Sequence, residues 1–218
     1  GLYKATGSSM EEGFMLVFPN LVQQGWVPNR DFLHLYGPTS LDVLAVWYRI
    51  FGDSLGSERT FGLLQNLAIV AAIYALGRVA GHVAAVGAAL VAAMFVMTPI
   101  GLTALAWHGG VALALWATVF GARARATANP ADWWYATILA GLALGFRPDL
   151  VIALALTLLF LAWPVLRQAT TMLVAVAGLM VGLLPVWWHL GQAGLRTAFE
   201  GMVLEPVVDL RPGRELPR

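Results

Sequence analysis

The stretch FGLLQNLAIVAAIYALGRV, residues 61 to 79, decides the fold. It carries no charge before Arg78 and is close to the roughly 20 apolar residues that an α-helix needs to cross a bilayer. The whole chain has the same character, because 59% of its 218 residues are hydrophobic and only 11% are charged. A soluble domain carries roughly a quarter charged residues. The sequence therefore predicts an all-α integral membrane protein.

Five further apolar blocks follow this one along the chain, separated by charged residues, prolines or polar loops. They run from Val83 to Met97, Thr103 to Gly121, Trp133 to Phe146, Leu150 to Leu166 and Ala169 to Leu190. We therefore expect a polytopic protein with about six transmembrane helices. The fourth and fifth blocks are shorter, and a buried or re-entrant hairpin is the alternative for them.

The basic residues of the short loops set the predicted orientation. About six crossings return the chain to its starting side, and the loops on the opposite side carry Arg78, Arg123, Arg125 and Arg167. Cytoplasmic loops hold the excess of basic residues. We therefore expect an extracytoplasmic loop (1–60), a bundle in the cytoplasmic membrane (61–190) and an extracytoplasmic segment (191–218). Since the chain starts at Gly1 and not at a methionine, we also expect it to be part of a longer protein.

Composition excludes several classes of function. A net charge of +1 gives no electrostatic reason to propose a nucleic-acid partner. The absence of cysteine excludes disulfides, thiolate metal sites and thiol catalysis. Four histidines without a local pair predict no metal site of their own, although distant carboxylates leave a divalent cation open.

The predicted outer loop contains two amphipathic segments, at residues 10–24 and 40–51. The apolar stripe of the first consists of Phe14, Val17, Phe18, Leu21 and Val22, and Pro19 should kink it or begin a new first turn. In the second, one face of the helix carries Leu41, Leu44, Tyr48 and Phe51, and Asp42 and Arg49 lie outside that face. We expect both helices to lie on the membrane surface, joined by a turn-rich connector, residues 25–38.

Two adjacent carboxylates, Glu11 and Glu12, precede the first stripe. At the lipid headgroup level, partial desolvation makes a carboxylate a better proton acceptor, which suits a general base. The alternative is an acidic first turn that complements the helix dipole.

The connector also holds a dense group of polar side chains: Arg30, Asp31, His34 and Tyr36, followed by the breaker Gly37-Pro38. A cation, an acid, an imidazole and a phenol so close together indicate a binding site. The alternative is a solvated loop in which Asp31 pairs with Arg30 or caps a turn.

Arg147-Pro148-Asp149 separates two apolar blocks. Ionisable residues there are costly and are retained mainly where they pair with one another or serve a site. Arg147 could bind a phosphate through two parallel hydrogen bonds, or it could simply pair with Asp149. Near the start of the third block, Gly109 and Gly110 more often indicate close helix packing than ligand approach.

Taken together, these motifs resemble the GT-C superfamily of glycosyltransferases, which includes the protein O-mannosyltransferases and the lipid A aminoarabinose transferases. The resemblance lies in Glu11-Glu12-Gly13, Gly25 to Phe32, Tyr36-Gly37-Pro38, Ile50 to Ser54, Glu58-Arg59, Gly145 to Asp149, Glu205-Pro206 and Arg211 to Pro217. It implies an enzyme that moves a sugar from a polyprenyl-phosphate donor to an acceptor hydroxyl, with inversion, outside the cytoplasm.

The resemblance also implies roles for individual residues. In the family an acidic pair, usually Asp-Glu, supplies the base, so Glu11 or Glu12 takes that role, and Glu11 is one methylene longer than the usual Asp. Asp31 would orient the acceptor or hold a divalent cation. The binding residues would be Arg30, His34, Tyr36, Arg59, Arg147 and Asp149. The family's lysine-proline-proline segment is absent, and Tyr36-Gly37-Pro38 occupies its place.

Two other classes of function remain open. A polytopic transporter or lipid flippase also carries intramembrane Arg and Asp residues. A pseudo-symmetric pair of broken helices would favour transport, whereas a surface-helix loop that caps a one-sided cavity would favour the transferase. A non-catalytic membrane scaffold is the third hypothesis.

Overall fold

The computed structural model describes residues 9–97, 102–165 and 168–209. Within these ranges the regular elements are helical, which confirms the all-α fold class. The helices are α1 (Ser9–Gln23), α2 (Thr39–Phe51), α3 (Leu55–Gly77), α4 (His82–Val96), α5 (Ala106–Thr127), α6 (Pro130–Phe146), α7 (Val151–Ala162), α8 (Ala169–Gly182), α9 (Leu184–Ala193), α10 (Leu195–Phe199) and a π-helix (Glu200–Asp209). Arg167 and the predicted motif Arg211 to Pro217 lie outside the described residues.

Among the described residues, one helix is long and apolar enough to cross a bilayer: Leu55–Ala80, which is α3 with the short 3₁₀ turn that follows it. Helices α8 and α9 would form a second span if the 47° bend between them is a break within one crossing. Helix α4 and the segment Pro148–Ala162 are apolar but shorter. The expectation of about six crossings therefore stays a prediction.

Local sequence signals explain where the helices begin and end. Ser54 caps α3, because its hydroxyl accepts a hydrogen bond from the Ser57 N–H. Asn129 caps α6 in the same way and is followed by Pro130 at the first helical position. Helix α2 ends at Gly52, which adopts a φ of 83°.

Helix α6 lies at the centre of the bundle and packs against both α5 and α8. Small residues permit these contacts, since Ala117, Ala140 and Ala143 are buried together and Gly141 lies against Gly182. Helix α3 packs on α5, and α4 packs on α3. By contrast, large apolar side chains of α4 and α7 point outward, among them Met94, Phe95 and Phe160.

The buried face of α1 differs from the predicted stripe. Phe14 and Val17 are exposed, whereas Glu12, Met15 and Pro19 are buried. This face turns inward because Glu12 and Met15 both bind side chains of neighbouring helices. The helix also continues through Pro19 to Gln23. The stripe has the helical period that the sequence predicted, and its contact with the membrane surface stays a prediction.

The stripe predicted for α2 is buried at Leu41, Leu44 and Tyr48 but exposed at Phe51. The buried part of this stripe packs against other parts of the protein and not against lipid, because Leu44 and Tyr48 form a core cluster with Met15, Ala104 and Leu105. A second row on this helix, Val43, Val46 and Ile50, is exposed instead. The two surface helices therefore pack against each other and against α3.

Candidate functional site

The connector docks directly onto the end of α6. The Gly37 N–H donates a hydrogen bond of 3.0 Å to the Phe146 carbonyl. A Cβ atom at Gly37 would lie 1.9 Å from the Gly145 carbonyl oxygen, so the approach requires glycine. Two motifs more than a hundred positions apart in the sequence, Tyr36-Gly37-Pro38 and Gly145 to Asp149, are thereby brought together.

Arg147 lies at this junction and makes two kinds of contact. Its guanidinium carbon is 5.4 Å from the centre of the Tyr36 ring, within the range of a cation–π interaction. Its Nε and Nη2 atoms donate to the two carboxylate oxygens of Asp149, the first at 2.7 Å. The hydrogen bond from Arg147 lowers the pKa of Asp149 below its ordinary value. The pairing considered as the alternative is thus present.

A groove of about 260 Å³ opens between α1 and the connector. Its walls are largely apolar and include Phe14, Met15, Phe18 and Leu33. Its polar lining is supplied by Glu11, His34 and Tyr36. Three of the predicted site residues therefore share one cavity, and Tyr36 joins that cavity to Arg147.

His34 is 3% exposed and meets the rings of Phe18 and Tyr36 edge-on. Burial lowers its pKa to about 4, so the imidazole is neutral at neutral pH. Its Nε2 atom has no hydrogen-bond partner among the described residues. A neutral imidazole can accept or donate one hydrogen bond there, depending on the tautomer.

The two glutamates diverge. Glu12 Oε1 accepts a hydrogen bond of 2.7 Å from Arg59 Nε, and the two side chains are only 9% and 7% exposed. Glu11 instead lines the groove. Consecutive residues of an α-helix point in directions about 100° apart, since 3.6 residues make one turn. Of the predicted acid pair, Glu11 is therefore the one placed to meet a ligand, and Arg59 binds Glu12.

Arg30 and Asp31 lie at the protein surface and form an ion pair of 2.7 Å. Asp31 Oδ2 also accepts the Val27 N–H at 2.8 Å, which closes the turn of the connector. The hydrogen bond from Arg30, followed by that from Val27, lowers the pKa of Asp31. Arg30 further donates to the Gln192 carbonyl at the end of α9, at 3.3 Å. Both residues thus hold the connector in shape, and neither is among those that line the groove.

Glu58 was not among the predicted site residues. It is fully buried in the first turn of α3, and its Oε1 accepts the Ala104 N–H at 2.6 Å. Its Oε2 has no hydrogen-bond partner in the described part of the chain. The signal in the sequence was an acid beside Arg59 at the start of a long apolar helix, where a charge is costly unless it is paired.

Neither a protein-family model, a curated protein nor a solved structure matches the chain. Within the described ranges, no group of three or more His, Cys, Asp or Glu side chains is placed to hold a metal ion. The function must therefore be inferred from the site itself.

Proposed function

We propose that the chain is part of an inverting membrane glycosyltransferase of the GT-C type. It would take a sugar from a polyprenyl-phosphate donor and transfer it to an acceptor hydroxyl on the extracytoplasmic face of the cell membrane. The observation that carries the proposal is the position of Glu11 in an apolar groove whose Tyr36 also contacts Arg147. The base thus lies in an apolar groove, and the cation contacts the ring of Tyr36, which lines that groove.

The reaction needs few groups from the protein. The acceptor oxygen attacks the anomeric carbon of the sugar and forms the new glycosidic bond, while the bond from that carbon to the phosphate oxygen breaks on the opposite face. Glu11 takes the proton of the acceptor hydroxyl, and the polyprenyl phosphate leaves with the electron pair. Holding the donor and acceptor in line supplies much of the remaining rate enhancement.

Arg147 is the group that would stabilise the departing phosphate. The ion pair of Arg147 with Asp149 is accessible to solvent, because the Arg147 side chain is 26% exposed and that of Asp149 is 59% exposed. A phosphate could therefore share or replace the carboxylate as partner of the same two N–H groups. Tyr36 would keep the guanidinium plane in position meanwhile.

A lipid-linked donor also suits the surface of the molecule. The groove walls are apolar side chains of α1 and the connector, and α3 is long enough to span a bilayer. Large apolar side chains on α4 and α7 are exposed, as expected for contact with lipid. A polyprenyl chain could remain in the membrane while its phosphate reaches the site.

One observation favours the alternative, a transporter or lipid flippase. Helices α8 and α9 meet at an angle of 47°, and a broken helix often marks the binding site of a transporter. Transporters of this kind generally carry a second break in the symmetry-related half. The transferase is preferred because Glu11, His34 and Tyr36 line the groove between α1 and the connector, whereas α8 and α9 contain no charged residue.

The test uses the protein in native membranes supplied with a panel of polyprenyl-phosphate hexoses and pentoses. Release of polyprenyl phosphate and labelling of the acceptor fraction are both measured. Glu11→Gln should reduce transfer by about 10²- to 10⁴-fold, the usual contribution of a general base. The result that would overturn the proposal is unchanged transfer in a folded Glu11→Gln variant, or movement of the intact donor lipid between leaflets without release of phosphate.

A further inference from the structure

A second cavity, of about 320 Å³, lies between α2, α3, α5 and α6. Its walls are almost entirely apolar and include Val43, Phe61, Leu64, Ala112, Leu113 and Phe146. Within the described part of the chain it shares no lining residue with the groove of Glu11, and no charged side chain lines it. The cavity is therefore a separate site, unsuited to an ionic ligand.

Among the described residues that line this cavity, Gln65 carries the polar side chain. It is 8% exposed, and its Oε1 atom has no hydrogen-bond partner among the described residues. The Gln65 amide packs closely against Gly109, because a Cβ atom added at Gly109 would lie 2.7 Å from Nε2 of Gln65. Buried polar atoms normally have a partner. An acceptor without a partner on a residue that lines an apolar cavity is available to a ligand in that cavity.

The position of Gln65 indicates where such a ligand comes from. The residue lies four positions beyond Phe61, where the predicted membrane segment begins, which is about 6 Å along α3 at roughly 1.5 Å per residue. The cavity therefore lies beside the part of α3 that is predicted to lie within the hydrocarbon core. Leu64 and Leu67 beside it are each 48% exposed, so the surface of α3 next to the cavity is apolar. A ligand that reaches this depth is soluble in lipid.

We propose that this cavity binds an uncharged, lipid-soluble molecule that carries a hydroxyl or amide N–H group, which donates a hydrogen bond to Gln65 Oε1. The apolar walls enclose the body of the ligand, and Gln65 selects for the donor group. The site is independent of glycosyl transfer, since it takes no phosphate and uses none of the groove residues.

The probes are 1-decanol and methyl nonyl ether, which have similar length but differ in the hydrogen-bond donor. Thermal unfolding of the protein in non-ionic detergent is followed by tryptophan fluorescence at increasing probe concentration. Decanol should raise the midpoint temperature in a saturable way, and the ether should do so at about tenfold higher concentration, the loss expected for one hydrogen bond. Gln65→Met keeps the side-chain length but removes the acceptor, so both probes should then act alike.

Ala112→Phe fills the cavity and should abolish both shifts. Gln24→Met is the control, because Gln24 is exposed and does not line the cavity; it should respond as the wild type does. Equal shifts from decanol in the wild type and in Gln65→Met, or equal shifts from alcohol and ether in the wild type, would overturn the proposal. The comparisons of the two probes in the wild type and in Gln65→Met test the proposal even if Ala112→Phe does not fold.

Discussion

The phenol of Tyr48 in α2 donates a hydrogen bond of 3.0 Å to the carbonyl oxygen of Met15 in α1. In an uninterrupted helix this carbonyl would accept the N–H of the fourth residue further on, which here is Pro19 and has none. A side chain of one surface helix thus satisfies the carbonyl that proline leaves open in the other. Because both Tyr48 and Pro19 are buried, this contact fixes how α1 and α2 pack.

Replacing Tyr48 with Phe should therefore lower the free energy of unfolding by about 1–3 kcal/mol, because a buried carbonyl loses its donor. Pro19→Ala restores a backbone N–H for Met15, so Tyr48→Phe should cost less in the Pro19→Ala background. A double-mutant cycle of unfolding in detergent measures this difference. Equal costs in the two backgrounds would show that the Met15 carbonyl does not matter.

The buried pair of Glu12 and Arg59 should be sensitive to the loss of one partner. Arg59→Met leaves Glu12 as an uncompensated buried charge and should destabilise the fold by about 3–5 kcal/mol. The double variant Glu12→Leu with Arg59→Met removes both charges and should recover most of that loss. Chemical denaturation of the wild type, Arg59→Met, Glu12→Leu and the double variant gives the comparison. A double variant as unstable as the sum of the single ones would contradict this account.

Arg147→Lys keeps the positive charge but loses the planar pair of N–H groups. If Arg147 holds the donor phosphate, the KM of the variant enzyme for the donor should rise about tenfold, or about 1.4 kcal/mol, with little change in the free energy of unfolding. Arg30→Lys is a matched control, because Arg30 forms a similar two-bond pair with Asp31 away from the groove. Equal effects of the two substitutions would rule out a special role for Arg147.

The stability of the protein should depend on His34 between pH 4 and 6.5. Burial lowers its pKa from 6.5 to about 4, so the unfolded chain binds the proton more tightly than the folded one. The contribution of His34 is thus complete above the unfolded pKa and is lost as the pH falls toward 4. The loss is on the order of 3 kcal/mol. In His34→Asn the fall in stability should be smaller by this amount, as measured by the denaturation midpoint across that range.

Asp42 acts in the opposite direction and has to be separated from His34. Burial raises its pKa from 3.8 to about 6, so its contribution to stability is complete below the unfolded pKa and is lost as the pH rises through 6. Asp42→Asn should therefore steepen the fall in stability below pH 6.5 that His34 causes. If Asp42→Asn flattens the profile instead, the assignment of these two groups is wrong.

Gly37→Ala tests the docking of the connector on α6. The added Cβ atom would overlap the Gly145 carbonyl, so the backbones must separate, and a cost of about 2 kcal/mol or more is expected. Gly13→Ala is the control, since it lies within α1 and its Cβ would meet nothing within 4 Å. Ala is the better helix former by about 0.5–1 kcal/mol, so Gly13→Ala should stabilise. Thermal midpoints in detergent measure both effects.

The function of the candidate site stays a prediction, although the structure shows which of the predicted residues meet. The dense polar stretch of the connector and the Arg147 turn were recognised as unusual, and Glu11, His34, Tyr36 and Arg147 are brought together. The catalytic role of Asp31 stays a prediction, and the contacts seen in the structure are those of the alternative, a pair with Arg30 and a turn closed at Val27. The sequence could not distinguish these cases, because the same residue types that bind ligands also close turns.

The sequence by itself determined the helical class and the approximate position of the helices. Apolar periodicity, capping residues and glycine or proline breaks act between residues close together in the chain, so they can be read without knowing the fold. Only the tertiary structure decided that Glu12 pairs with Arg59 and Tyr36 with Arg147. These pairings depend on which faces of distant helices meet. The sequence of a helix that has apolar side chains on several sides does not determine which of its faces makes the contact.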